Sequence, residues 1–322
     1  LAARRPYNLA AFYTTTRKLT GKKYDKAFLE VCHHMHGIWK KEAEERAPFI
    51  PSEQVTETPR LYADYYGTTL IDNDLYAIKK GHETSPSLVK IDPSGKESML
   101  THFAYETSSL NASGSKGRLY WSEKLPDERW TMKSDSRIRY IDIDNGKKRN
   151  LTTAKSLLFN PGASPDGNKT AAVQYNANGE SFLTIVDSHD GKELKSIKAP
   201  DGLQLVETAW IGDHIYVTAI SDEGFGIYAH SSNGWTTLLS PQPVKIKDFN
   251  IYGEELIFTC DRTGVNELYH LTPETGRLSQ KTVTRYGAES FSYSNDGKWL
   301  YYSSQTMKGK MIFRTSADSL VD

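Results

Sequence analysis

The densest run of side chains able to hold a metal is Cys32, His33, His34 and His36. On a helix, His33 and His36 lie three residues apart and share a face, a spacing that can chelate zinc or nickel, whereas His34 points to the other side and Cys32 flanks an apolar stripe. Two ligands do not close a tetrahedral site, so a solvated polar face is expected there, with no metal and no other cofactor. The 40 Asp and Glu residues offer a second chemistry. Asp92, Asp142, Asp144 and Asp187, however, sit apart along the chain in turn sequences, where Asp caps hairpins by accepting backbone N–H groups; a calcium loop would crowd such oxygens together. The chain contains no GxSxG nucleophile elbow, no HExxH and no Walker A motif. No catalytic constellation is legible, and the expected function is non-catalytic binding.

Composition narrows the partners. Lys plus Arg and Asp plus Glu each number 40, so the formal charge is zero and no long-range field favours nucleic acid or an anionic membrane. No apolar run reaches the roughly eighteen residues of a spanning helix, and no membrane insertion is expected. Cys32 and Cys260 show neither CxxC spacing nor a disulfide-rich pattern and are expected as two buried thiols. The chain opens on Leu1-Ala2-Ala3-Arg4-Arg5, without an initiator Met or the apolar core of a signal peptide, and is read as an excerpt or processed form of a larger protein.

Two textures organise the sequence. From Tyr7 to about Ala47 helix formers dominate, with Thr20-Gly21 as the break, which predicts two helices in a segment spanning 1–52. In the second, Tyr24, Phe28, Val31, Met35, Ile38 and Trp39 recur at three- and four-residue steps, so they gather on one face that is expected to pack on a neighbouring β unit. Pro48 and Pro51 end it. Beyond, over 53–322, short runs of Tyr, Val, Ile and Thr alternate with Asp-Gly, Asn-Gly, Ser-Gly and Thr-Gly turns, an all-β texture.

That β region repeats. Turns at Asp74, Gly117, Gly167, Asp213, Glu254 and Gly297 fall 41–50 residues apart. Each is followed by an apolar strand (Leu75-Ile78, Leu119-Trp121, Ala171-Gln174, Ile215-Thr218, Leu256-Thr259, Trp299-Ser303) and then by another (Leu88-Ile91, Arg139-Ile143, Leu183-Val186, Ile227-His230, Leu268-Leu271, Met311-Arg314). A period near forty matches one four-stranded propeller blade, so six units predict a six-bladed β-propeller behind a short N-terminal α-helical segment. The sixth unit has no room for its outermost strand before Asp322, and the spare strand Val55-Tyr62 is expected to supply it, closing the ring. A charge or proline at Leu61 should then open it.

Ala163-Ser164-Pro165-Asp166-Gly167-Asn168-Lys169 and Tyr293-Ser294-Asn295-Asp296-Gly297-Lys298-Trp299 resemble the SPDGK turns of TolB-like propellers. The resemblance covers about Val55 to Asp322 and implies an exported bacterial protein of the periplasm or cell envelope. It implies as well recognition of a protein or peptide on a propeller face, by a monomer. Such propellers also accompany prolyl peptidases, which keeps open an accessory role gating an upstream peptidase domain.

With the turns as register, Glu207, Asp248 and Ser290 become equivalent starts of innermost strands, with Asn160 at the same level and Glu106 and Glu289 close by. Innermost strands line the central channel. Glu106, Asn160, Glu207, Asp248 and Glu289 are therefore the candidate ligand-binding residues at the channel mouth, able to hold a cation, a Lys or Arg side chain or an amine; a polar wetted wall would have the same composition, and a carbohydrate or other small molecule is a further candidate ligand. Tyr105, Phe159, Phe249 and Phe291 neighbour these positions, chiefly as expected inter-blade core.

Overall fold

A computed structural model describes residues 10–103, 108, 110–113, 116–130, 133–153, 155–176 and 178–321. The chain divides into two units, Leu1–Phe49 and Ile50–Asp322.

The first unit carries α1 (Ala11–Thr20) and α2 (Tyr24–Arg46). Gly21, in the left-handed region at φ 69°, ends α1 by donating its N–H to the Arg17 carbonyl, a position where a side chain would be strained. Ring contacts of Tyr24 with Phe12, Tyr13 and Phe28, at centroid distances of 5.1, 5.5 and 5.9 Å, hold the hairpin at its turn. No described residue of either helix is buried. Within this unit Phe28, Val31 and Trp39 of the stripe are more than half accessible, and Cys32 beside them is an exposed thiol, not the buried one that was expected. The helices touch chiefly through their turn-proximal aromatics, so the later turns of α2 gain no cover from α1. Cys260, on a middle strand of the second unit, is buried.

The second unit is a six-bladed β-propeller of six four-stranded antiparallel sheets. The innermost strands are Ala63–Ile71, Asn111–Ser113, Leu158–Ala163, Gln204–Ile211, Ile246–Tyr252 and Ala288–Tyr293, for blades 1 to 6. Every expected second strand lies within the observed one (Asp74–Gly81, Arg118–Pro126, Lys169–Tyr175, His214–Ser221, Glu255–Cys260, Trp299–Thr306), because the turn signals that marked their starts are real hairpins. In two of these turns Asp166 and Asp296 accept the hydroxyl of the serine two residues earlier, at 2.6 and 2.7 Å, and the N–H two residues later, at 3.0 and 3.2 Å. Such turns fold locally, which is why they are readable.

Packing runs between blades. Second strands are buried on both faces, whereas an outermost strand such as Glu193–Lys198 is exposed along most of its length. Ile257 and Leu268 of blade 5 pack with Phe291, Leu300 and Tyr302 of blade 6, and Tyr65 and Ala77 of blade 1 pack with Met311 and Ile312 of blade 6. Each sheet is thereby the wall of two cores, and opening one junction exposes both.

The ring closes by a borrowed strand, but a shorter and earlier one than expected. Glu53–Gln54 pairs with Gly309–Ser316, Glu53 opposite Arg314 and Gln54 opposite Phe313. The Val55 N–H extends the ladder to the Ile312 carbonyl at 2.8 Å, and the Thr56 hydroxyl accepts from the Ile312 N–H at 3.2 Å. From Glu57 the segment leaves the edge, so Leu61 and Tyr62 are 39% and 40% exposed and lie outside the closing strand. The glutamates at 53 and 57 and the proline at 59 gave this stretch no apolar alternation that could mark its strand limits.

The ladder geometry makes the closure testable. Val55→Pro removes the N–H bonded to Ile312 and should cost about 2–3 kcal/mol in chemical denaturation, whereas Leu61→Asp should stay within about 0.5 kcal/mol of wild type. Equal losses from the two would place closure elsewhere.

Candidate functional site

Five innermost strands break register once near the channel, between Tyr66 and Thr69, Phe159 and Gly162, Leu205 and Glu207, Lys247 and Asn250, and Glu289 and Ser292. Such a bulge turns one residue out of the ladder. At four of them that residue is left-handed: Gly67 at φ 62°, Asn160 at 48°, Asp248 at 54° and Ser290 at 56°. Glycine, asparagine and aspartate tolerate this conformation best.

Groups at and beside these bulges bond chiefly to the next blade. Asp248 accepts the Ser290 N–H at 3.1 Å and the Thr259 hydroxyl at 2.9 Å. Glu207 accepts the Phe249 N–H at 3.2 Å, Asn160 donates its amide to the Val206 carbonyl at 2.6 Å, and the Gly67 N–H donates to the Ser290 hydroxyl at 3.0 Å. Threonines answer in the reverse direction: Thr208 donates to the Asn160 carbonyl at 3.2 Å, and Thr68 donates to the Ser290 carbonyl. The backbones come close enough at Gly162 that an added Cβ would stand 2.5 Å from the Thr208 carbonyl oxygen. Among the described residues, Gly67, Leu110, Glu207, Asp248, Phe249 and Ser290 line a cavity of only about 30 Å³ at this level. That is roughly the space of one water.

The expected site residues therefore divide. Asn160, Glu207 and Asp248 share one level around the axis, together with Ser290, and each spends side-chain bonds on a neighbouring blade. Glu289 is one residue from Ser290 but turns elsewhere: it is buried, paired with both Lys247 and Lys310, and receives the Asn266 amide at 3.3 Å. Glu106 and Tyr105 lie outside the described residues. Phe249 and Phe291 are buried in inter-blade core, and Phe159 is half-buried against Tyr175.

Electrostatics separates the two glutamates. Glu207 keeps a little solvent exposure, yet protein surrounds most of it, and this burial, followed by the charge of Asp248, pushes its carboxyl up to about 8. Burial would also raise Glu289, but hydrogen bonds from Lys247 and Lys310 outweigh it and hold that carboxyl below the ordinary range. Glu289 forms the floor of a 410 Å³ recess between blades 5 and 6, with Asp261, Asn266, Tyr286 and Gln305 on its walls. Beside it, the buried Ser303 hydroxyl has no hydrogen-bond partner among the described residues.

Topology adds residues that sequence spacing missed. In an antiparallel blade, the start of the innermost strand, the end of the second and the start of the third lie on one face. On that face Met307 at a hairpin tip is 99% exposed, Tyr286 on the linker into blade 6 is 65% exposed, and Leu61 and Tyr62 stand on the linker into blade 1. Apolar residues inside turn sequences were the available signal. Among the described residues no group of three or more side chains is placed to hold a metal, and His33, His34 and His36 are exposed on α2.

No protein family model and no curated relative matches the sequence. Solved structures are similar in fold. TolB from Acinetobacter baumannii is 14% identical with a TM-score of 0.54 over 83% of this chain, which spans 65% of that one. The β-propeller domain of the Trilobed protease from Pyrococcus furiosus, described as having an open velcro topology, is 11% identical with a TM-score of 0.53 over 79% of this chain and 95% of that one. Oligogalacturonate lyase from Vibrio parahaemolyticus is 10% identical with a TM-score of 0.52 over 83% of this chain and 93% of that one. These likenesses show a TolB-like six-bladed propeller fold.

Two substitutions test the channel ring. Asp248→Ala strands the buried Ser290 N–H and Thr259 hydroxyl and keeps a strained left-handed position, so it should cost about 2–4 kcal/mol in denaturant melts. Glu207 acts through pH: its folded value of about 8 stands above the ordinary 4.5, so its favourable contribution is complete below about 4.5 and is lost as pH rises through about 8. Glu207→Gln should flatten this decline and stabilise the protein at pH 7 by on the order of 3 kcal/mol; a wild-type stability that does not fall over that window would contradict the burial described.

Proposed function

We propose that this TolB-like propeller is a non-catalytic scaffold of the cell envelope that recognises a protein or peptide on the face carrying the starts of its innermost strands. The observation that carries the reading is the exposed group of Met307, Tyr286, Leu61 and Tyr62 on that face. Two backbone bonds hold the chain beside Tyr62 and Met307: the Ala63 N–H donates to the Lys308 carbonyl at 3.0 Å, and the His82 N–H donates to the Tyr62 carbonyl at 3.1 Å. Tyrosines and an adaptable methionine bury large area at small entropic cost, a composition enriched in protein interfaces. The ring carboxylates support a non-catalytic role, because Glu207 and Asp248 are engaged by backbone N–H groups of the next blade.

The likeness to the propeller of a protease favours a second reading, an accessory to an upstream peptidase domain. Such an accessory would work by the same exposed face.

A photo-crosslinking residue placed at Met307 or at Tyr286 in cells should yield the same discrete adduct, and one at Asn145, on a turn of the opposite face, should yield none. Met307→Asp combined with Tyr286→Ala should reduce recovery of that partner at least about tenfold at unchanged melting temperature. Adducts of equal yield from Asn145, or none from either face position, would remove the reading.

A further inference from the structure

A recess of about 550 Å³ lies between blades 3 and 4 on the face opposite the one just described. It is bounded by the Asp213-His214 turn, the Ser231-Ser232 turn and the outermost strand Glu193–Lys198. Its floor is apolar. Ile185, Ile197, Trp210 and Ile215 supply it, and Leu194, 50% exposed, forms an apolar lip. The indole N–H of Trp210 is already satisfied by the Gly162 carbonyl at 2.9 Å, so the ring offers the recess a hydrocarbon surface.

The rim is cationic. Lys169, Lys195, His214 and His230 stand around the floor, with Asp213 as the one carboxylate of the lining. Among the described residues neither Lys169 nor Lys195 enters an ion pair, unlike Lys198 on the same outer strand, which is paired with Glu180. Burial, followed by the Lys195 charge, holds the His230 imidazole below its usual range. Two ammonium groups outside any ion pair, with Asp166 near Lys169 and Asp213 in the lining, leave an apolar floor under a rim of mainly positive charge, and the volume falls in the range of small-molecule sites.

We propose that this recess binds an organic anion with an apolar body, its hydrocarbon part on Trp210, Ile197 and Leu194 and its acidic group among Lys169, Lys195 and the two histidines. The Ser231 and Ser232 turn supplies further polar groups at the anionic end. Occupancy requires no change in the partner face, because the two sites lie on opposite faces of the disc.

Sodium decanoate, below its micellar concentration, is a suitable probe, titrated calorimetrically into the full chain beside N-decanoyl-N-methylglucamine, a neutral amphiphile of equal chain length. Decanoate should bind with a submillimolar Kd, shift the imidazole NMR signals of His214 and His230, and lose at least about fivefold in affinity in Lys169→Gln/Lys195→Gln and about threefold in Leu194→Ser. Both variants alter exposed side chains, and an unchanged melting curve confirms their folding. The proposal is overturned by absent binding, by equal affinity for the neutral amphiphile, by unmoved histidine signals, or by a double variant that binds decanoate as wild type does.

Discussion

Asp248 accepts the backbone N–H of a residue 42 positions ahead, and Glu207 does the same for Phe249 at the same separation. This step between blades, repeated around the axis, is the constraint on which the remaining architecture rests. A four-stranded sheet satisfies its own ladder but leaves its innermost edge unpaired and both faces apolar. Stacking neighbours cover the faces; the bulge residues cover the innermost backbone groups and set how close adjacent sheets approach. Ser290 bonding to Gly67, 223 residues away, shows the same step carried across the ends of the propeller. There the entropic cost of joining distant segments is highest, and the Glu53–Gln54 strand adds its own ladder on the outer edge.

The elements that could be read from the amino-acid order are those whose cause is local. Ser164-Pro165-Asp166-Gly167 folds its own turn, so the strand that follows could be placed; Gly21 breaks the helical pair through its own backbone freedom. The six-fold period followed from such turns, and with it the common level of Asn160, Glu207 and Asp248. What remained illegible depends on distant partners. Glu53–Gln54 has no strand signature and becomes one only because Gly309–Ser316 presents an open edge, which is why the closing strand was expected at Val55-Tyr62. Glu289 and Ser290 are adjacent in sequence, yet a bulge sends one toward Lys247 and Lys310 and the other toward blade 1. A one-residue shift of this kind reverses the face a side chain occupies, and no spacing rule reports it.

The acids at the channel illustrate how a structural role can produce the pattern of a binding site. Equivalent polar residues at one level of a repeat are what a ligand ring would need, and also what blade-to-blade bonding needs. The oxygens of Asp248 meet N–H and hydroxyl donors of blades 5 and 6, which is the second use. The arrangement has an electrostatic cost, because Glu207 lies near enough to Asp248, and deep enough, for its proton to persist to about pH 8. A carboxyl held by its neighbours in the protonated form lowers the repulsion that two adjacent charges would create.

A tightly bonded inner ring has a consequence for where binding can occur. Large accessible spaces lie away from the inner ring, between blades, where sheets diverge because adjacent strands twist and the outer strands splay. The recess over Glu289 and the recess over Trp210 both occupy such divergences, on opposite faces and at different junctions. Their linings come from turns and outermost strands, which the ladder constrains least and whose side chains can change without disturbing the inter-blade bonds. Rigidity at the centre and chemical freedom at the periphery are thus two results of one geometry: the residues that hold Asp248 to Ser290 are fixed by closure, while Met307, Tyr286, Lys169 and Lys195 are free to be set by what they contact.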